Sequence, residues 1–599
     1  MVNASLSPSI TAANTTHLPT QAGTRFSLWC DRLIETGWLA ALIVAPLLFN
    51  IYSSRVFEPD KITTLRSIAL IMSAIWFVKW IEERRSKNVP APRITWRTPL
   101  VLPTMIMVVV YMISTALSVA PRTSLLGSYQ RLQGTYTTFS YIIIFLLMIQ
   151  TMKSRTQFNR AVNLWIINSL PIAIYGMIQR AGLDPLPWGG DVVERVAGNM
   201  GNAIFIAAYL IMTFFLCLGK IAEVFVTVLN SEESNVSDVV RSAGYIVIAI
   251  INAFVVLVLA GSRGPQLGWL AGIFFMVVLL AQLLRSRRSR IISTSVVIGL
   301  AVSGLSLLVI LNVSSSSAVE GLRELPVLNR LSTAFDTQSG TNRVRVLIWD
   351  GNVNLITPHE PIQFPNGTLD AFNSLRPLFG YGPEGMYVSY NRFYPPELTQ
   401  VEARNASPDR SHNETWDSVV ITGLFGFLAY MFLFGSFFYY GFKWIGLIGS
   451  RFEKILFPIM WVVGALIGGV LFSMSRISLV GVGIGAGAVA GLTLFVMISA
   501  LLNTLSNNES MQHSRLSLGD QVMVIGLLSA VVAHYIEIHL GIAIVSTRTH
   551  FWAFAAMMVL LGMGYIRGTQ SAEAVVAAPL MSSETTVNED SNLKEMGGR

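Results

Sequence analysis

Arg410-Ser-His-Asn-Glu-Thr-Trp-Asp-Ser418 leads directly into Val419–Tyr440, VVITGLFGFLAYMFLFGSFFYY. The second part carries no charge and is close to the roughly 20 residues a helix needs to cross a hydrocarbon core. The first part is polar and rich in ionisable groups. So abrupt a change marks a helix entering a bilayer from a water-facing segment, and it sets the fold class.

Similar runs recur along the chain. Of its 599 residues 52% are hydrophobic and only 13% are charged, against about 25% charged in ordinary soluble domains. Mean hydropathy is +0.56. About fourteen apolar runs read as helical spans: 36–54, 63–81, 99–119, 136–152, 160–178, 199–219, 244–261, 265–284, 291–312, 418–442, 455–473, 478–501, 522–540 and 550–566. The runs are continuous rather than alternating, which excludes a transmembrane β-barrel. The expectation is an all-α polytopic membrane protein of about 12–14 transmembrane helices. A large extracytoplasmic loop domain is expected between the ninth and tenth spans.

Lys and Arg give the orientation. Arg84, Arg85, Lys87, Arg93 and Arg97, then Lys153, Arg155 and Arg160, then Arg285, Arg287, Arg288 and Arg290, and finally Lys443, Arg451 and Lys454 fall in alternate short loops. The positive-inside rule puts these loops and both termini in the cytoplasm. Residues 1–35 then form a disordered cytoplasmic N-terminus and 567–599 a disordered tail. Two transmembrane bundles, 36–312 and 418–566, flank a 313–417 loop domain outside. That loop contains the amphipathic run Asn342–Ile356, aromatic clusters and many turn residues. A structureless loop of this length would be unusual, so a small folded cap with surface helices is expected.

The net charge of +8 resides largely in inter-helix loops and does not point to nucleic acid. Cys30 and Cys217 suggest neither a disulfide framework nor a metal site. No Walker A sequence, paired-cysteine metal pattern or Gly-x-Ser-x-Gly elbow is present. Neither a cofactor nor a metal is expected. Glycines such as Gly481–Gly491 read as close helix packing.

The residues suited to chemistry gather on the outer face. Arg263 stands at a tight turn between two spans. Arg195 and Arg410 lie outside, and Arg343 and Arg345 open the amphipathic run. Guanidinium is planar, permanently charged and binds phosphate through paired hydrogen bonds; the alternative is contact with lipid headgroups. Arg345 and Trp349 share a helix face, whereas Arg343 points elsewhere, which favours Arg345. His412 can exchange a proton near neutral pH, and Asn413 could orient it or bind a sugar. Within the span 522–540, His534 and Glu537 share a face, with His539 offset. These three read chiefly as polar contacts between helices.

The arrangement resembles the O-antigen ligase superfamily, which includes O-antigen ligases, O-antigen polymerases and bacterial protein O-oligosaccharyltransferases. The resemblance rests on four features across roughly 120–440. They are Ser262-Arg263-Gly264 at a turn; Arg345-x-x-x-Trp349 followed by Pro377-Leu-Phe-Gly-Tyr-Gly382; His412-Asn413 before Gly423-Leu-Phe-Gly426; and Arg195-Val-Ala-Gly-Asn-Met-Gly-Asn202 entering a span. It implies a periplasm-facing, metal-independent, inverting glycosyl transfer in the bacterial plasma membrane, with a glycan on undecaprenyl pyrophosphate as donor. Arg263 and Arg345 would hold the diphosphate, and His412 would assist deprotonation of the acceptor. Arg195, Arg343, Tyr381, Arg410 and Asn413 would contribute to substrate binding. The chain departs from the family in its longer outer loop and in about two extra C-terminal spans, which carry His534–His539. The acceptor could be a glycan, a lipid or a protein. A flippase for the same lipid-linked glycan is the competing class, but it calls for charges along a cavity open to both sides.

Overall fold

Long apolar runs satisfy their backbone groups internally by forming helices, and helices make up most of the described residues. The computed structural model describes residues 24–85, 93–188, 190–230, 236–314, 316–334, 336–338, 340–505, 511 and 514–566. The N-terminal half comprises α1 (Arg25–Leu47), α2 (Pro59–Arg85), α3 (Val101–Ala116), α4 (Pro121–Leu126), α5 (Thr135–Thr151), α6 (Arg155–Arg180), α7 (Ala203–Asn230), α8 (Val236–Phe254), α9 (Arg263–Gln282) and α10 (Arg287–Val313). Short helices follow: α11 (Ser317–Arg323), α12 (Pro326–Leu331), α13 (Gly340–Ile356), α14 (Arg376–Phe379) and α15 (Met386–Ser389). The chain then forms α16 (Glu414–Trp444), α17 (Arg451–Ser475), α18 (Val480–Leu505), α19 (Leu518–Ile538) and α20 (Val545–Gly562). Among the described residues there is no β-strand, only an isolated bridge between Gln363 and Leu369.

Among the described residues ten helices are long and apolar enough to cross a membrane: α2, α6, α7, α8 with its continuation to Ala260, α9, α10, α16, α17, α18 and α19. The apolar helices α3 and α5 are shorter. The chain is therefore an all-helical, multi-pass membrane protein by architecture.

The first helix differs from the expected 36–54. It begins at Arg25, where Thr24 accepts a 3.1 Å hydrogen bond from the Ser27 amide, and it ends at Leu47. Residues 25–35 are thus helical rather than disordered. Asp31 and Glu35 mask the helix in a hydropathy reading, yet both are buried and paired. Asp31 binds Lys153 at 2.6 Å and also Lys79. Glu35 pairs with Arg160 and accepts from Gln157 at 2.7 Å. The remainder of the expected N-terminal tail, residues 1–23, and the tail 567–599 lie outside the described residues.

α19 packs against α7 and α9, and every residue from Asp520 to Tyr535 is buried. By contrast, only Arg290 and Leu311 of α10 are buried, so α10 stands at the periphery. Glycine brings α17 and α18 into backbone contact. A Cβ on Gly464 would lie 2.5 Å from the Gly487 carbonyl oxygen, and one on Gly468 only 2.2 Å from that of Gly483. This is the small-residue packing of membrane helices.

With the head of α16, the segment between α10 and α16 builds a second apolar cluster, which includes Ile348, Trp349, Tyr381, Tyr390, Leu398 and Trp416. α13 occupies the amphipathic run read from the sequence. α16 is broken at Gly423, whose φ is +67°. The break frees the carbonyls of Val420 and Ile421, which accept 2.9 Å bonds from the amides of Tyr381 and Gly382. These bonds lock the short helices onto the head of α16.

Candidate functional site

The turn between α8 and α9 is built by an irregularity. α8 ends in a π-helical turn, Val255–Ala260, and Gly261 then takes φ +51°. A π turn leaves carbonyls out of register, and neighbours fill them. The Val196 amide donates to Leu259 at 3.3 Å, Arg195 Nε to Ala260 at 3.4 Å, and Gln266 Nε2 to Leu257 at 3.0 Å. Arg195 Nη2 also donates to Ser262 Oγ at 2.9 Å. The loop before α7 is thereby bound to the turn that starts α9, and Arg195 comes beside Arg263.

These residues line a cavity of about 350 Å³, shared by Arg195, Arg263, Arg330, Arg345 and His412. The first turns of α7, α9 and α13 all reach it, through Ile204, Gly264 and Asn342 among others. Helix N-termini present unsatisfied N–H groups and partial positive charge. Four arginines and three such termini make this a strongly electropositive chamber. Glu402 is the carboxylate in its wall.

The arginines differ in their partners. Arg263 is fixed, its Nε donating to the Arg330 carbonyl at 3.0 Å and its Nη2 to Thr333 Oγ1 at 2.6 Å. Arg330 reaches Glu194 at 3.3 Å. The Arg345 guanidinium forms neither a hydrogen bond nor an ion pair among the described residues. Burial lowers its pKa to about 10, with Arg263 and Arg195 acting the same way and Glu537 opposing them. Burial and then Arg330 also lower that of Arg195. A chamber that penalises its own cations attracts an anion that relieves the repulsion.

His412 closes the chamber in a held conformation. Its φ is +54°, a left-handed geometry that non-glycine residues avoid. Both neighbours are tethered. The Ser411 amide donates to Asp417 Oδ1 at 2.6 Å, and Trp349 Nε1 donates to the Ser411 carbonyl at 2.7 Å. On the other side Asn413 Oδ1 accepts from the Trp416 amide at 3.0 Å, while its Nδ2 donates to the His539 carbonyl at 2.8 Å. Its own imidazole makes no hydrogen bond among the described residues. Burial, then Arg345 and Arg131, lower the His412 pKa to about 4, so the ring is neutral at pH 7 with a lone pair available.

The remaining sequence candidates lie elsewhere. Arg343 lines a different cleft on another face of α13. Arg410 is buried in a pair with Asp417, Nε to Oδ2 2.9 Å; burial opposes its charge, and Asp417 and Glu414 hold its pKa above the ordinary value. Its fork is thus taken by protein. Asn413 caps α16 instead of reaching the cavity. Tyr381 is buried, donating its hydroxyl to the Leu355 carbonyl at 2.9 Å. These four residues build the frame around His412 or stand apart from it.

Within α19, His534 Nδ1 lies 3.4 Å from Glu537 Oε2. His539 Nε2 lies 3.2 Å from Thr415 Oγ1, joining the start of α16. Glu537 sits under the cavity floor: a Cβ on Gly264 would lie 3.6 Å from its carbonyl oxygen. Among the described residues no group of three or more His, Cys, Asp and Glu could hold a metal ion. Arg330 was not legible beforehand, because it sits in the short helix α12 with no motif around it. Compared with known protein families and with curated proteins, the chain finds a match in neither. The functional reading therefore rests on the chamber itself.

Proposed function

We propose that this chain is a membrane glycosyltransferase resembling the O-antigen ligases. It moves a glycan from an undecaprenyl-pyrophosphate donor to an acceptor hydroxyl. The carrying observation is that Arg345, which has no side-chain partner among the described residues, and His412 line one chamber together with Arg195 and Arg263. In the bacterial plasma membrane the chamber faces the periplasm. Support comes from α9: it begins in the chamber at Arg263 and ends before the basic stretch Arg285–Arg290 at the start of α10, which the positive-inside rule assigns to the cytoplasm.

In this reading the diphosphate enters among Arg195, Arg263 and Arg345. The acceptor oxygen attacks the anomeric carbon from the face opposite the diphosphate, and the configuration inverts. The carbon–oxygen bond to the diphosphate breaks, and the electron pair leaves with it. Pre-placed guanidinium groups stabilise that charge as it develops. The acceptor proton passes to the neutral His412 ring as the new bond forms, and the ring later releases it to solvent. The diphosphate already activates the sugar, so no nucleotide is consumed.

The decisive experiment is transfer by the purified protein from an undecaprenyl-pyrophosphate-linked glycan, with a chelator present. Wild type should transfer, and His412→Ala should lose about 10²–10⁴-fold. Arg345→Ala should fall comparably. Variants that match wild type would remove the proposal. An inactive wild type that still moves lipid-linked glycan across reconstituted membranes would establish the transporter class instead.

A further inference from the structure

We infer that a second cleft, on the far side of α13, binds an oligosaccharide chain. α13 then divides a diphosphate subsite from a sugar subsite. This inference rests on the glycosyl-transfer reading for its biological role, but its own ground is the chemistry of the cleft.

The cleft has a volume of about 830 Å³, within the roughly 300–1,000 Å³ typical of ligand sites. One wall is a single stripe of α13: Arg343, Leu347, Asp350 and Asn354 follow helical spacing. Arg343 is two residues from Arg345, about 200° around the helix, so each cavity takes one of the pair. Phe393-Tyr-Pro-Pro-Glu397 also lines the cleft, and its two prolines stiffen the chain. Arg476 closes one end, its Nε donating to Asp350 Oδ1 at 3.0 Å.

The two cavities differ in kind. The first gathers four arginines against a single lining carboxylate, which selects anions. The second mixes Arg343, Arg392 and Arg476 with Asp350, Glu397, Asn354 and two half-buried aromatic rings. Arg343 and the Asn354 amide have no side-chain partner among the described residues. Hydroxyl-rich ligands need both donors and acceptors at close spacing, and their C–H faces pack on aromatic rings. Neither a lipid tail nor a simple anion matches that mixture. A further regularity joins the sites: Ser262-Arg263 turns into the first cavity, and Ser475-Arg476 turns into the second.

The test uses the full-length protein in lipid nanodiscs. It is titrated with two delipidated glycan pools, one released from the host's lipid-linked intermediates and one from its finished surface carriers. Inorganic pyrophosphate is titrated separately. Wild type should bind at least one pool: the first assigns the cleft to the donor chain, the second to the acceptor. Tyr394→Ala should weaken glycan binding by about tenfold, the scale of one good aromatic contact, and Tyr394→Phe should retain it. Unchanged pyrophosphate binding in Tyr394→Ala shows that the variant is folded. Arg345→Ala should lose pyrophosphate and keep the glycan. If neither pool binds while pyrophosphate does, or if Tyr394→Ala and Asp350→Ala both bind glycan like wild type, the inference is overturned. Glycan binding without pyrophosphate binding supports the cleft and removes the diphosphate reading instead.

Discussion

Trp349 Nε1 donates a 2.7 Å hydrogen bond to the carbonyl of Ser411, the residue that precedes His412. Arg345 sits one helical turn before Trp349. One face of α13 thus supplies both Arg345, a cation with no side-chain partner among the described residues, and the tether for the loop that carries His412.

Trp349→Phe keeps most of the ring but removes this donor. The Ser411 carbonyl then loses a partner at a fully buried residue, which costs about 1–3 kcal/mol. Small displacements of a reacting group reduce rate far more than binding. We expect kcat to fall roughly tenfold to hundredfold, with pyrophosphate affinity close to wild type. Steady-state transfer and direct titration measure the two quantities. Unchanged kcat would show that the tether does not position His412.

Gly423 tests the junction between the short helices and α16. A Cβ there would lie 2.3 Å from the Leu378 carbonyl carbon, and one on Gly380 would lie 2.5 Å from that of Ile421. Both glycines have positive φ. Gly423→Ala therefore combines backbone strain with a backbone collision, together roughly 3 kcal/mol. Thermal unfolding in detergent should show a large loss, whereas Gly299→Ala, a position with open space around the added Cβ, should show almost none. Equal midpoints would contradict the crossing.

The same junction shows what could be read beforehand. Helical class was legible because apolar runs of bilayer length leave the backbone no other solution. The segments Pro377–Gly382 and Gly423–Gly426 were both visible as motifs. Their contact was not visible, because it depends on carbonyls freed by a break inside α16. The two-residue spacing of Arg343 and Arg345 separated their faces by geometry alone. Arg410 misled, since a buried arginine and a ligand-binding one look alike in sequence. Only its partner Asp417, seven residues on, distinguishes them, and no periodicity announced that pair. Asp31 and Glu35 concealed the start of α1 for the same reason: their partners come from α2, α6 and the loop between α5 and α6.

The held conformation of His412 yields a stability test. At φ +54° an alanine retains the strain and loses the ring, whereas glycine adopts the geometry freely. His412→Gly should be more stable than His412→Ala by about 1 kcal/mol, with transfer lost to a similar degree in both. Chemical denaturation compares the two. A more stable alanine variant would mean that the backbone relaxes once the imidazole is gone.

The acid limb of the pH profile reports the neighbours of His412. Its pKa is lowered to about 4 by burial and then by Arg345 and Arg131, below the ordinary value near 6.5. A base works in its deprotonated form, so kcat/KM, which reflects the free enzyme, should hold on acidification until roughly pH 4–5. In the proposed reaction a bound diphosphate would neutralise Arg345 and its neighbours and favour the imidazolium, so the limb in kcat should lie at higher pH than that in kcat/KM. Arg345→Ala removes one source of repulsion and should move the kcat/KM limb upward, toward the ordinary histidine value. Stability carries the same sign. The unfolded chain binds the His412 proton more readily than the folded one, so this residue's contribution is present above about pH 6.5 and is lost as pH falls toward 4. A kcat/KM limb already at pH 6.5 in wild type, unmoved by Arg345→Ala, would show that the chamber's cations do not act on the His412 ring.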